Sequence, residues 1–399
     1  MSTSSTRTVA LVCHSTKPRG GLVHTLSLAE ALHRQGFGVH LVALGDPSVG
    51  LFRPTDVPHT VLPGPTHAGT TLTDRVFAAI DTLAGGLSEL TAAGRIDLLH
   101  TQDCIAARAA ARVRDAGAPV TVVRTVHHVD DFTTPALVHC QRQAIVEPDR
   151  VLVVSEQWRQ ILRAEYGRDA EVVHNGVDPD RFPAPPLEAL AALRARIGAG
   201  PETFVFLSVG GVEPRKGSVH AFRALAQLRA DGVDAKLAVV GGHSFQDYTA
   251  YRDASLALLP ELGLTLGEDV VLLGTVGEAE LGGWYHAADA LAFPSVKEGW
   301  GLAVLEAMSA GLPVIASDLP VFREYLVDRE NALLPPVADD TALARAMRAL
   351  VADPALRERL REGALRTVPR YSWSASALRH QEIYLDARAR ALVGDSVLR

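Results

Sequence analysis

Along the first half of the chain, short β-branched apolar runs alternate with Ala- and Leu-rich stretches whose apolar residues recur at helical spacing. The strand-like runs are Thr8 to Cys13, Val39 to Leu44, Ile96 to His100, Val120 to Thr125 and Val151 to Ser155; Val23 to Gln35 and Ala106 to Ala116 carry the helical pattern. Such alternation predicts βαβ units around a parallel sheet. It breaks between Val172 and Pro186, where Asn175-Gly176-Val177-Asp178-Pro179 and Phe182-Pro183-Ala184-Pro185-Pro186 supply turn and proline signals that suit an interdomain linker. The pattern then restarts with strands at Phe204 to Val209, Ala235 to Val240, Val270 to Leu273, Ala290 to Pro294 and Pro313 to Ala316. Helices are expected at Ser218 to Arg229, Glu278 to His286 and Leu302 to Ala310. The expected organisation is an α/β domain over residues 1–180, a second over 181–371, and a helix over 372–399 that packs back on the first.

A chain of 399 residues can bury two cores, and 47% hydrophobic with 21% charged residues places it among compact globular proteins. A formal net charge of −7 argues against a dedicated nucleic-acid binder. Arg108, Arg112 and Arg114 make the most basic stretch, and they read as a solvated helix face. Cys13, Cys104 and Cys140 are odd in number and far apart, so neither a disulfide framework nor a zinc site is indicated. The polar start, Met1 to Arg7, leads straight into an apolar strand, and no run long enough to span a bilayer follows. The expectation is a cytoplasmic chain with no membrane association indicated.

Pro18-Arg19-Gly20-Gly21 follows the first strand and opens the first helix, where backbone amides of Gly20 and Gly21 could approach an anion or a sugar oxygen. A tight turn with no ligand reads equally well. The dinucleotide pattern Gly-x-Gly-x-x-Gly is absent there, which leaves a nicotinamide-dependent dehydrogenase supported by sheet topology alone. Phe293-Pro294-Ser295-Val296-Lys297-Glu298-Gly299-Trp300-Gly301-Leu302 is more informative, because it sets a strand end, a glycine-rich loop and a helix start in order. Amides around Gly299, Trp300, Gly301 and Leu302 at that helix tip could hold a diphosphate. Glu298 precedes the loop and Glu306 stands on the first turns of the helix. A carboxylate accepts hydrogen bonds from sugar hydroxyls, so the pair could bracket a sugar nucleotide, one on the ribose and one on the transferred sugar.

These residues resemble the Glu-x7-Glu signature of the retaining glycosyltransferases of family 4, which have the GT-B fold of two facing Rossmann-like domains with parallel sheets and an interdomain cleft. The resemblance extends over Pro18-Arg19-Gly20-Gly21, Thr125-Val126-His127, the strand ending in Ser155, Asn175-Gly176-Val177-Asp178, Lys216-Gly217, Leu273-Gly274-Thr275-Val276 and the block from Glu298 to Pro313. Arg124-Thr-Val-His-His-Val-Asp-Asp-Phe132 and Gly210-Gly-Val-Glu-Pro-Arg-Lys-Gly217 look like a less-characterised actinobacterial branch. The resemblance implies that Glu306 holds the donor ribose, Glu298 meets the donor sugar, and Lys216 faces the diphosphate. It also implies that His127 hydrogen-bonds the donor sugar and that base contacts come from backbone near Thr275 and Val276. The family pattern has an arginine where this chain has Gly211, and Arg215 is the expected substitute.

His128 rivals His127, and because successive strand residues face opposite ways only one of the two should point inward. Asp178-Pro179-Asp180 matches the Asp-x-Asp letters of metal-dependent transferases but reads as an accident of the proline-rich linker. No cofactor and no metal are expected; Arg215, Lys216 and the helix tip would stabilise the departing diphosphate. The implied activity is retaining transfer of a sugar from a nucleotide-diphosphate donor, UDP ahead of GDP, to a small molecule or lipid headgroup. The rival is a catalytically silent sugar-nucleotide-binding protein, favoured by Gly211. The oligomeric state is not legible.

Overall fold

The strands of the first half are β1 (Thr8–Cys13), β2 (Val39–Gly45), β3 (His59–Pro63), β4 (Ile96–Thr101), β5 (Thr121–Val126), β6 (Arg150–Val153) and β7 (Glu171–Val172). Between them run α1 (Gly20–Arg34), α2 (Leu72–Ala92), α3 (Cys104–Asp115), α4 (Pro135–Val146) and α5 (Glu156–Tyr166). The computed structural model describes residues 8–17, 20–66, 71–242 and 248–397, with side chains through 391. In the second half come α6 (Leu187–Arg196), β8 (Phe204–Val209), α7 (Ser218–Ala230), β9 (Ala235–Val240), α8 (Thr249–Ala257), β10 (Val270–Gly274) and α9 (Glu278–Ala287). They are followed by β11 (Ala290–Phe293), α10 (Leu302–Ser309), β12 (Val314–Ala316), α11 (Asp340–Ala352), α12 (Pro354–Thr367) and α13 (Trp373–Val397).

The chain divides into two compact units, one made of the residues up to Gly176 with those from Trp373 onward, the other of Val177–Ser372. Each is built on a sheet whose strand pairs are all parallel, in the orders β3-β2-β1-β4-β5-β6-β7 and β10-β9-β8-β11-β12 among the described residues. The first division falls a few residues before 180/181. Val177 already belongs to the second unit, because its amide donates to the Tyr371 carbonyl at 2.9 Å and it bridges Ser372. The stretch expected as a linker is therefore largely committed: Asn175 accepts from His24 within the first unit, and Asp178 caps the short 3-10 turn Pro179–Arg181 within the second.

In the first unit β1 is fully enclosed from Val9 to Val12, and α13 lies along α1, tied by Gln35 Nε2 donating to the Ser374 carbonyl at 3.0 Å and Arg388 paired with Asp97 at 2.7 Å. The helix α2 starts at a capping box between Thr71 and Asp74 and buries Val76, Ile80, Leu83 and Leu87 at helical spacing. Each such fully buried aliphatic side chain contributes about 1.5–3 kcal/mol. The core of the second unit gathers Phe206, Phe222, Leu237, Val239, Ile315 and Met347 between its sheet and helices. The strand expected to end in Ser155 stops at Val153, since Ser155 turns its hydroxyl to the Trp158 amide and caps α5. Among the described residues no helix is long and apolar enough to cross a membrane.

Candidate functional site

In the second sheet the strand order reverses between β8 and β11, and the loops leaving their carboxyl ends stand at that switch point, the place where open parallel sheets bind ligands. The loop after β8 begins with Gly210 and Gly211, whose amides both donate to the Val240 carbonyl, at 2.8 and 3.1 Å. Gly211 has φ +75°, and a Cβ there would sit 2.8 Å from the Gly242 carbonyl oxygen. That backbone approach leaves no room for the arginine of the family pattern. Farther along, the 3-10 turn Pro214–Lys216 ends at Gly217, with φ +66° and the Pro294 carbonyl oxygen 2.0 Å from where a Cβ would lie. The Val296 amide donates to the Arg215 carbonyl at 2.8 Å, so the two loops are joined at their backbones.

This seam puts Lys216 and Arg215 onto Glu298. Lys216 Nζ lies 2.6 Å from Glu298 Oε1 and 4.4 Å from the centroid of the Phe293 ring. Arg215 NH1 is 3.3 Å from the same oxygen while its Nε is 3.3 Å from Glu213, and the Ser295 hydroxyl donates to Glu298 at 3.0 Å. Burial pushes the Glu298 carboxyl up, but the two cations outweigh it and hold it below the usual carboxylate range. Burial also lowers the Lys216 ammonium, against the pull of Glu298.

Past Glu298, the chain runs through Gly299 and the buried Trp300 to Gly301, which has φ +84° and precedes α10 with no side-chain cap. Trp300 is fixed by Tyr325, whose hydroxyl donates to its carbonyl at 2.9 Å. The amides of Gly301, Leu302 and Ala303 make no hydrogen bond among the described residues. They form an open donor cluster at a positive helix end. Glu306, on the second turn, is buried: Tyr285 donates to its Oε2 at 2.8 Å, and Arg181 NH1 is 3.3 Å from its Oε1. Val276 follows β10 at the same edge of the sheet, where Gly241 donates to the Gly274 carbonyl at 2.8 Å. The structure therefore brings Gly211, Arg215, Lys216, Glu298, Gly299, Trp300, Gly301, Leu302, Glu306 and Val276 to one edge of one unit. Tyr285 and Arg181 are additions that the sequence reading missed; Arg181 lies in the proline-rich stretch, and its partners are 97 and 125 residues away.

Gly20, Gly21 and His127 belong to the other unit, whose strand order reverses between β1 and β4. Gly20 and Gly21 open α1, with no atom within 4 Å of an added Cβ; Pro18 and Arg19 lie outside the described residues. His127 comes just after β5, partly buried, its Nε2 3.0 Å from Gln102 Oε1 and its ring edge-on to His24 at 4.5 Å. Gln102 continues to His100 Nε2 at 3.2 Å, and His100 Nδ1 meets the Tyr384 hydroxyl of α13 at 2.7 Å. Burial, then the neighbouring His24, hold the His127 imidazole well below its usual range, so it is neutral. His128 turns the other way, exposed and 3.4 Å from Asp130.

A model described as glycosyl transferases group 1 matches residues 191–367, and one described as glycosyltransferase family 4 matches residues 18–181. The chain is 30% identical over 374 residues to phosphatidyl-myo-inositol mannosyltransferase of Mycobacterium leprae, covering 92% of this chain and 93% of that protein. It is 29% identical over 302 residues to a D-inositol 3-phosphate glycosyltransferase of Streptomyces bingchenggensis, 73% of this chain but 62% of that relative's length. Among solved structures, sucrose-phosphate synthase from Thermosynechococcus elongatus superimposes with a TM-score of 0.80 at 22% identity, covering 96% of this chain and all of that one (100%). Anabaena Alr3699/HepE in complex with UDP and glucose gives a TM-score of 0.80 at 19% identity, covering 95% and 100% of the two chains. At such identities these structures share the fold.

Proposed function

Because the chain belongs to glycosyltransferase family 4, we propose that it moves a glycosyl group from a nucleotide-diphosphate sugar to a hydroxyl acceptor, with retention at the anomeric carbon. One observation carries this reading: open amides at the tip of α10, two cations and two buried carboxylates converge at the switch point of the second unit. The amides and Lys216 with Arg215 suit a diphosphate; Glu298 and Glu306 suit hydroxyls. In the step, the bond from the anomeric carbon to the phosphate oxygen breaks, a bond to the acceptor oxygen forms, and the acceptor proton passes to the departing phosphate. The protein's part is to position the donor and to stabilise the charge growing on the leaving group. Lys216, Arg215 and the helix tip supply the opposing positive charge, a reading in which no metal is required. His127 is a neutral ring whose Nε2 donates to Gln102 Oε1, which leaves its Nδ1 as a hydrogen-bond acceptor.

UDP is favoured over GDP as the donor nucleotide. The relatives' names point the acceptor search toward inositol-type polyols, free or on a lipid headgroup. A second reading, a silent sugar-nucleotide binder, is favoured by the backbone contact that keeps an arginine out of position 211. Incubation with UDP- and GDP-sugars and an inositol phosphate or phosphatidylinositol separates the two. A transferase forms glycosylated product and free nucleotide diphosphate, whereas a silent binder forms neither. In the transferase, Arg215→Ala/Lys216→Ala lowers kcat by about a hundredfold or more; near-normal turnover in that variant would overturn the charge assignment.

A further inference from the structure

Arg181 stands where the chain enters the second unit, in a stretch whose prolines and turn residues read as a tether, yet its side chain is only 12% exposed. Its Nε lies 2.7 Å from Glu278 Oε1, and its NH1 is 3.3 Å from Glu306 Oε1. The backbone that carries it is fixed on both sides. Before it, Val177 bridges Ser372 and the Arg181 amide donates to the Asp178 carbonyl at 3.1 Å; after it, the Phe182 carbonyl meets His286 Nε2 at 2.9 Å. The Phe182 ring supports the guanidinium at 5.0 Å and packs against Tyr285 at 5.3 Å. Gly282 leaves the space that ring needs, since a Cβ there would approach Phe182 to 2.9 Å.

We propose that Arg181 is a positioning residue for Glu306, holding that carboxylate in place as an acceptor for the vicinal hydroxyls of the donor's ribose. The proposal rests on the donor-site reading of Glu306. Its physical ground is that a buried carboxylate stays a pure acceptor only while something opposes its desolvation. The groups facing Glu306 are Arg181 from the entering segment and Tyr285 and Glu278 from α9. Burial pushes the Glu306 carboxyl above the usual range, Arg181 and then the Tyr285 hydrogen bond oppose this, and Glu278 adds to it. Arg181 also pairs with Glu278, so it relieves the repulsion between the two acids while it orients one of them.

The test uses the full chain with Arg181→Met, close in length and uncharged, and Arg181→Lys, which keeps the charge. Without the cation Glu306 takes up its proton at a higher pH. The infrared band of a protonated carboxyl, identified by its loss in Glu306→Gln, then emerges at a higher pH in R181M than in the parent, with or without a ligand. With UDP as the probe, Kd in R181M climbs about tenfold for each pH unit below that midpoint and returns toward the parent value above it. R181K restores a profile close to the parent's. An unchanged midpoint in R181M, or a loss of UDP binding that is the same at every pH, overturns the proposal. Should the parent bind neither UDP nor GDP, the donor-site reading fails, while the carboxyl titration still decides whether Arg181 governs Glu306.

Discussion

At the scale of single residues, the site depends on backbone positions as much as on charged side chains. Gly217 is the clearest case, because its positive φ and the Pro294 carbonyl 2.0 Å from a would-be Cβ are what let Lys216 turn back onto Glu298. Gly217→Ala should therefore cost about 1–3 kcal/mol of stability and weaken nucleotide binding, measured by urea denaturation and calorimetry with UDP. Unchanged stability would mean that the loop adopts another path. The Lys216–Gly217 pair was legible in the sequence through its resemblance to the family pattern. Arg181 and Tyr285 were not, since nothing near Arg181 announces partners in α9 and α10, and Tyr285 reads as one more apolar position of α9.

At the scale of elements, the first unit buries His24 on α1, His100 on β4 and His380 on α13 and sets the partly buried His127 after β5 against them as one group of rings. Burial holds all four below the ordinary histidine range, His24 at about 3 and His380 at about 4. The unfolded chain binds protons at these rings as pH falls through the ordinary range, and the folded unit does not. Stability is thus present at neutral pH and is lost on acidification, by up to about 1.4 kcal/mol per pH unit for each ring. Urea denaturation at pH 7.5 and 5.5 checks this, and His380→Phe should flatten the slope; stability that is equal or higher at pH 5.5 would contradict it. The strands that carry the site were legible as unbroken apolar runs. The helix α2 was not assigned, because Gly85 and Gly86 interrupt its pattern; packing overrides them, as a Cβ at Gly86 would run into the Leu62 side chain at 2.3 Å. In the same way α6 follows a proline cluster and buries none of its residues fully, so its pattern is hidden, and Leu193 finds its place over Gly283 of α9.

At the scale of the whole molecule, two parallel sheets each reverse their strand order once, and each reversal lies beside residues singled out from the sequence: the Gly20-Gly21 turn and His127 in one unit, the Glu298 to Glu306 block in the other. The two-domain α/β class followed from the alternation of strands and helices, and the family from its motifs. Where the chain passes from one unit to the other was only approximately legible, since proline and glycine mark a boundary without showing that Val177 pairs with Ser372 from the far end of the unit. The central claim is that the switch point between β8 and β11 holds a nucleotide diphosphate, and a crystal structure with UDP bound tests it most directly. The diphosphate should lie within hydrogen-bond reach of the Gly301 and Leu302 amides and of Lys216 or Arg215, with the ribose on Glu306. UDP bound elsewhere, with those amides and Glu306 untouched, would contradict it.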